Sequence, residues 1–279
     1  MLQWCCATEQ CASSGDTMDL LKGKKALIVG IANDHSIAWG IAQALKQAGA
    51  ELAFSYAGES LERRVRPLAE QLGVSFVQQC DVSDDAQIAT LFERLGAEFG
   101  SFDILVHSVA YAKREDLSGR FVDSSRDGWR IAMDVSAFSL VALTKAAMPL
   151  LNPNASILTL SYYGAEKVIP NYNVMGVAKA ALEATVRYLA ADLGPDGLRV
   201  NAISAGPIRT LSASGIGNFR RLHRAFTNAN PMRRAITIED VGNSALWLCS
   251  ELASGVTGEV VYVDGGYNVL GMSEEEQSS

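Results

Sequence analysis

From Lys25 onward, short runs rich in β-branched and aromatic residues alternate with longer stretches of helical period, and that alternation specifies βαβ units on a parallel sheet. Candidate strands are KALIVG (25 to 30), ELAFSY (51 to 56), SFVQQC (75 to 80), FDILVHS (102 to 108), SILTLS (156 to 161), RVNAIS (199 to 204) and EVVYVD (259 to 264). Most read as near-continuous apolar runs, as strands do when helices cover both faces of a sheet. Helices are expected near 37 to 48, 59 to 72, 84 to 99, 125 to 150, 172 to 193 and 238 to 252. Ser83 can cap the third of these, and Thr237 with Asp240 resembles a capping pair for the last. Right-handed crossovers then give a doubly wound sheet whose ligand crevice lies beyond the carboxyl ends of its strands.

A chain of 279 residues with 48% hydrophobic content suits one large α/β domain. No run approaches the roughly 18 consecutive apolar residues of a membrane span. The net charge of -7 is concentrated at the ends, because Glu9, Asp16 and Glu274 to Glu276 supply five of the acidic groups. The nearly neutral body carries no basic stripe and gives no case for nucleic acid or an anionic membrane as partner. Cys5, Cys6 and Cys11 match no zinc spacing, so no metal is expected, and the five cysteines fit a reducing, cytoplasmic compartment better than a disulfide framework. Residues 1 to 17 read as an extension, 18 to 272 as the domain and 273 to 279 as an acidic tail. The stretch from 207 to 231 breaks the alternation, and composition leaves open whether it is a lid or an ordinary surface helix pair.

After the first strand comes Gly30, then a loop, then a helix starting near Ser36 and Ile37, where backbone amides can hold a pyrophosphate. Gly30 permits the turn, and Gly40 would let the helix pack close to the sheet, although the full G-x-G-x-x-G fingerprint is absent. The second strand ends in Ala57-Gly58-Glu59; the lack of a basic residue at its tip favours NADH, while Arg63 and Arg64 keep NADPH open. Asp81, with Val82 after the third strand, is either an acceptor for an adenine amino group or a turn aspartate leading into the Ser83 cap. His107 reads as a satisfied core histidine, and Ser108, Val109 and Ala110 are small enough for a ribose to approach the backbone.

The segment from Ser161 to Lys179 joins the fifth strand to a long helix and places Tyr162 at the strand tip. Seven residues at 100° each leave Tyr172 and Lys179 within about 20° of one helix face. A lysine beside a phenol is expected to lower the phenol pKa and can also hold ribose hydroxyls. A phenol so placed can stabilise an oxygen that gains negative charge as hydride arrives, which is reductase chemistry.

With these residues in place, the chain from about 21 to 272 resembles the bacterial enoyl-acyl-carrier-protein reductases, a divergent branch of the short-chain dehydrogenase/reductases. The motifs that carry the likeness are GIANDHSIAWGIA, QCDV, LTLSYYGAEKVIPNYNVMGVAKAALEA, RVNAISAGPIRTLSASGI, TIEDVGNSALWLCS and GEVVYVDGG. Ordinary family members set tyrosine and lysine four apart; here Met175 stands four before Lys179 and the tyrosine seven before it, the mark of the enoyl reductase branch. The resemblance implies a Rossmann-like fold and NADH-dependent reduction of trans-2-enoyl-acyl-carrier-protein, the last reductive step of type II fatty acid elongation. It implies Tyr162, Tyr172 and Lys179 as catalytic, and Gly30, Ser36, Ile37, Ala57, Asp81, Val82, Val109, Lys179 and Ile208, Arg209, Thr210, Leu211 and Ser212 on the cofactor. Ala112, Tyr162, Tyr172, Met175, Ile216 and Phe219 would contact the acyl substrate, under a lid near 207 to 231. Acyl carrier protein as partner and a homotetramer are implied in the same way. Ala57 stands where NADH-using relatives often carry a polar residue, which bears on cofactor choice. The rivals are a 3-oxoacyl reductase of the same fold and a catalytically silent sensor of the NADH/NAD ratio.

Overall fold

The computed structural model describes residues 19–210 and 219–271. Seven strands form one sheet: β1 (Lys25–Val29), β2 (Glu51–Tyr56), β3 (Phe76–Gln79), β4 (Phe102–His107), β5 (Leu151–Ser161), β6 (Arg199–Ala205) and β7 (Val260–Val263). Their order is β3-β2-β1-β4-β5-β6-β7 and every neighbouring pair is parallel. The order reverses between β1 and β4, so the switch point of a doubly wound, Rossmann-like sheet falls there.

The helices are α1 (Ile37–Gln47), α2 (Glu59–Gln71), α3 (Asp85–Glu98), α4 (Arg126–Met133), α5 (Ser139–Ala147), α6 (Asn173–Leu193), α7 (Phe219–Ala229) and α8 (Ile238–Cys249). Adjacent strand residues point to opposite faces, and each face has its own core. Ala26 and Ile28 of β1 pack with Ile41, Leu45, Val241 and Leu248 of α1 and α8. Leu27 and Val29 pack on the other side with Leu91, Leu95, Leu140, Leu182 and Val186 of α3, α5 and α6.

Several local expectations change. The cap of α3 is Asp84, whose carboxylate accepts from the amides of Ala86 and Gln87, rather than Ser83. Ser83 instead donates to Asp81 through both its amide and its hydroxyl. Thr237 and Asp240 do form a reciprocal capping box. Gly40 packs against α8 rather than the sheet: a Cβ there would lie 2.3 Å from the Ile238 carbonyl oxygen, and one on Gly242 would lie 2.5 Å from that of Gly40. β5 starts five residues before its apolar run, because pairing with β4 begins at Leu151 opposite Phe102 and, after a register shift, resumes at Ser156 opposite Ile104.

The helix expected over 125 to 150 is interrupted. A π-helical turn, Asp134–Phe138, separates α4 from α5, and a 3-10 turn, Met148–Leu150, closes the stretch. Residues 126 to 150 are together long and apolar enough to cross a bilayer by length and composition, but here they pack against α3 and α6 with Ser136, Ser139 and Thr144 buried.

Candidate active site

Because all strands run the same way, their carboxyl ends share one edge of the sheet, and the sequence candidates collect along it. Gly30 follows β1, Ala57 β2, Asp81 β3, Val109 β4, Tyr162 β5 and Ile208 β6. Gly30 sits at φ 100°, and a Cβ there would lie 2.1 Å from the Ser108 carbonyl oxygen and 3.1 Å from the Val109 side chain. The two loops at the switch point therefore touch through a position open only to glycine. Ser36 caps α1 by accepting from the Trp39 amide, and its hydroxyl donates to the Asn33 carbonyl. The amides of Ile37 and Ala38 precede the first bonds of the helix ladder, the place where an anion is held at a helix start. A glycine cradle, this helix start and the small residues 108 to 110 fit a dinucleotide.

Tyr172 is the N-cap residue of α6 rather than part of it, flanked by Asn171 at φ 63° and Asn173 at φ 40°. Its ring is buried, meeting that of Tyr162 edge-on at 5.0 Å between centroids and 74° between planes. Gly164 abuts both rings: a Cβ there would lie 2.4 Å from Tyr172 Cδ1 and 3.3 Å from Tyr162 Cδ1. Lys179, two turns along α6, is also buried and donates to the Leu160 carbonyl at 2.7 Å.

The electrostatics correct the expected activation of the phenol. Burial pushes Tyr172 well above its ordinary pKa, with Tyr162 and Glu183 adding to the shift, and burial then Tyr267 do the same to Tyr162. Burial lowers Lys179 to about 8, against an upward pull from Glu183. Both phenols thus remain protonated hydrogen-bond donors at neutral pH, suited to an oxygen acquiring charge rather than to proton abstraction. His107 is satisfied, with Nδ1 2.8 Å from Thr159 Oγ1 and Nε2 2.8 Å from Ser139 Oγ. Burial, then the Lys179 charge, lowers it to about 3, so it stays neutral.

Tyr172 and Met175 share a small apolar cluster with Leu117, Ala132, Val174 and Ala178, and Ala112 and Tyr162 pack against it. Val82 is buried in the larger core beside α3, and Val109 packs against that core. Ala57 and Arg209 are exposed, Ile208 packs on the core beside α1, and the Thr210 amide donates to the Ile208 carbonyl. Phe219 opens α7 with its ring against His223. Leu211, Ser212 and Ile216, with 1 to 18 and 272 to 279, lie outside the described residues, as does the middle of the expected lid. Of the described part of that stretch, α7 is anchored at its far end, where the Phe226 ring meets that of Tyr267 at 4.7 Å between centroids, tilted by 34°.

A family model described as enoyl-(acyl carrier protein) reductase matches residues 30–268. The chain belongs to the enoyl-acyl-carrier-protein reductase family. It is 54% identical to the NADH enoyl-[acyl-carrier-protein] reductase FabI of Escherichia coli K12 over 93% of this chain and 99% of that one. Among solved structures, the Bacillus cereus enoyl reductase in complex with NADP+ and an indole naphthyridinone is 53% identical with TM-score 0.89, covering 91% of this chain and 100% of that one. The Anaplasma phagocytophilum enoyl reductase in complex with NAD is 51% identical with TM-score 0.87, covering 91% and 97%.

Reading the sequence missed several residues that shape this enoyl reductase site. Ser136, on the π turn, accepts from the Tyr111 amide and donates to the Tyr111 carbonyl, pinning the loop after β4. Buried Asp116 accepts from the Ser125 amide and hydroxyl and leaves Gly128 no room for a Cβ. Glu183 is buried on α6 with its Oε1 2.5 Å from Ser161 Oγ. A helical projection from Lys179 finds Glu183 one turn on; Gly164 and Ser136 carry no comparable signal.

Proposed function

We propose that this chain reduces the carbon-carbon double bond of trans-2-enoyl-acyl-carrier-protein with NADH, as the last reductive step of type II fatty acid elongation. The observation that carries the reading is the meeting of Tyr162 and Tyr172 at the strand ends, with Lys179 seven residues after Tyr172 rather than four. The nicotinamide cofactor supplies a hydride to the β-carbon of the enoyl thioester. The Tyr172 hydroxyl donates to the thioester oxygen as it becomes an enolate oxygen, and its raised pKa keeps the proton on the phenol. A proton delivered to the α-carbon completes the acyl product. Tyr162 borders the reacting bond, and Lys179 Nζ, which donates to the Leu160 carbonyl, would hold the nicotinamide ribose hydroxyls with its remaining donors.

In the same reading Gly30, Ser36 and Ile37 face the pyrophosphate, Ala57 the adenosine ribose, Asp81 and Val82 the adenine, and Val109 the ribose region. Ile208 to Ser212 border the nicotinamide; Ala112, Met175, Ile216 and Phe219 line the acyl pocket. Residues 18 to 272 form one NAD-binding domain with a lid near 207 to 231, between an extension (1 to 17) and an acidic tail (273 to 279). The enzyme works in the cytoplasm with acyl carrier protein as partner. It assembles as a homotetramer, a reading supported by exposed Trp129, Phe138 and Tyr188 and checked by light scattering.

The test is a steady-state comparison of NADH and NADPH with crotonyl and acetoacetyl thioesters. NADH oxidation with the crotonyl thioester is expected; preference for the acetoacetyl thioester makes the enzyme a carbonyl reductase, and tight NADH binding without turnover makes it a sensor. NADPH is included because Arg64 of α2 lines a cleft with Asn33 and Asp34 of the loop after β1.

A further inference from the structure

Two consecutive residues of β5 are gripped by two consecutive turns of α6. Lys179 donates to the Leu160 carbonyl at 2.7 Å, and Glu183 Oε1 lies 2.5 Å from the hydroxyl of Ser161, the residue before Tyr162. Glu183 is only 7% exposed and Lys179 only 6%. An ionisable side chain is seldom kept in such a place without a partner to offset the desolvation. The hydrogen bond needs only an acceptor, which an uncharged amide provides as well. What the carboxylate adds is charge, one helical turn from Lys179. We propose that Glu183 is a positioning residue of this reductase, acting through Lys179 to keep its ammonium charged for the cofactor and through Ser161 to fix the strand end that carries Tyr162. The inference rests on the cofactor role given above to Lys179.

The charged and titratable groups around the pair set the sign. Burial, with Glu166 in the turn after β5, raises Glu183, while the Ser161 hydrogen bond and the charges of Arg187 and Lys179 favour its carboxylate. Lys179 is lowered by burial and raised by Glu183, and its charge in turn lowers His107 on β4. Glu183 also raises the Tyr172 phenol. With Glu183 neutral, Lys179 loses its proton at lower pH, so NADH affinity falls at lower pH.

The experiment measures NADH dissociation by fluorescence and kcat/KM for NADH between about pH 6 and 10 in the full-length protein and in Glu183→Gln, which keeps an acceptor for Ser161 and removes the charge. The alkaline limb of both profiles is expected to move down by roughly one pH unit, the scale for opposite charges a helical turn apart in a partly screened interior. An unmoved limb overturns the proposal, and so does a uniform loss at every pH, the result of a merely structural role. Should Glu183→Gln not fold, Glu183→Asp carries the test: it keeps the negative charge near Lys179, so the alkaline limb is expected to stay within about a third of a unit of the parent's. A limb that moves by a full unit although the charge is kept refutes the idea equally. NADH binding needs no enoyl substrate, so failure of this inference and failure of the enoyl assignment are read separately.

Discussion

Gly164→Ala tests whether the position of Tyr172 is fixed by the packing around it. A Cβ at 164 would lie 2.4 Å from Tyr172 Cδ1 and 2.7 Å from Cε1, where ordinary contact begins near 3.4 Å. The added methyl therefore pushes the ring back by about 1 Å. Tyr162 gives no relief, since the same Cβ would lie 3.3 Å from its Cδ1 and its ring meets Tyr172 edge-on at 5.0 Å. Overpacking of this kind costs about 1–3 kcal/mol of stability. A displacement near 1 Å at a reacting group costs about 100-fold in turnover. The assay is kcat and KM with crotonyl thioester beside NADH dissociation and thermal unfolding. We expect kcat to fall about 10- to 100-fold with NADH affinity kept within about threefold, because Lys179 lies two turns from the clash. In a Tyr172→Phe background the same substitution should cost little further activity, since the hydroxyl it misplaces is already gone. A Gly164→Ala enzyme with kcat within about twofold of the parent, or with equal losses in both backgrounds, refutes the reasoning.

Tyr172→Phe alone should lower kcat far more than it weakens NADH binding, whereas Lys179→Ala should weaken both; stopped-flow and equilibrium titration separate them, and unchanged kinetics in both variants removes the site. His107 supplies a pH signature in stability. Its folded pKa is about 3, so below the ordinary value of 6.5 the unfolded chain binds a proton that the folded one does not, and stability falls with pH between those values. Relative to His107→Gln, which does not titrate, the parent should lose up to about 1.4 kcal/mol per pH unit across that window in urea unfolding. A constant difference between the two proteins at about pH 7 and 5 counts against a neutral buried imidazole.

The fold was legible because it rests on patterning. All seven strands and the strand-end positions of Gly30, Ala57, Asp81, Val109 and Tyr162 follow from apolar runs and from what ends them. The break at Asp134–Phe138 was not legible, since a π turn keeps the residues helical and leaves the apolar pattern of 125 to 150 nearly continuous. Gly40 was read against the wrong neighbour because a sequence shows that a helix packs closely but not on what; its partner, Gly242, is about 200 residues away in the chain. The spacing of Tyr172 and Lys179 was visible. Their ionisation was not, because it depends on burial by Tyr162, Met175 and Gly164, which come together only in the folded chain.

Tyr172 and Lys179 look like two positions on one helix, but the backbone sets them differently. Lys179 belongs to the rigid ladder of α6, and Tyr172 stands before it on a corner made by two left-handed asparagines, each in a conformation that costs about 1 kcal/mol or more for a residue with a Cβ. The corner is a joint. Changes in the turn from 163 to 173 can re-aim the phenol at a longer or bulkier acyl thioester without disturbing the amine two turns away. Substrate range and cofactor grip are, in this architecture, separately adjustable.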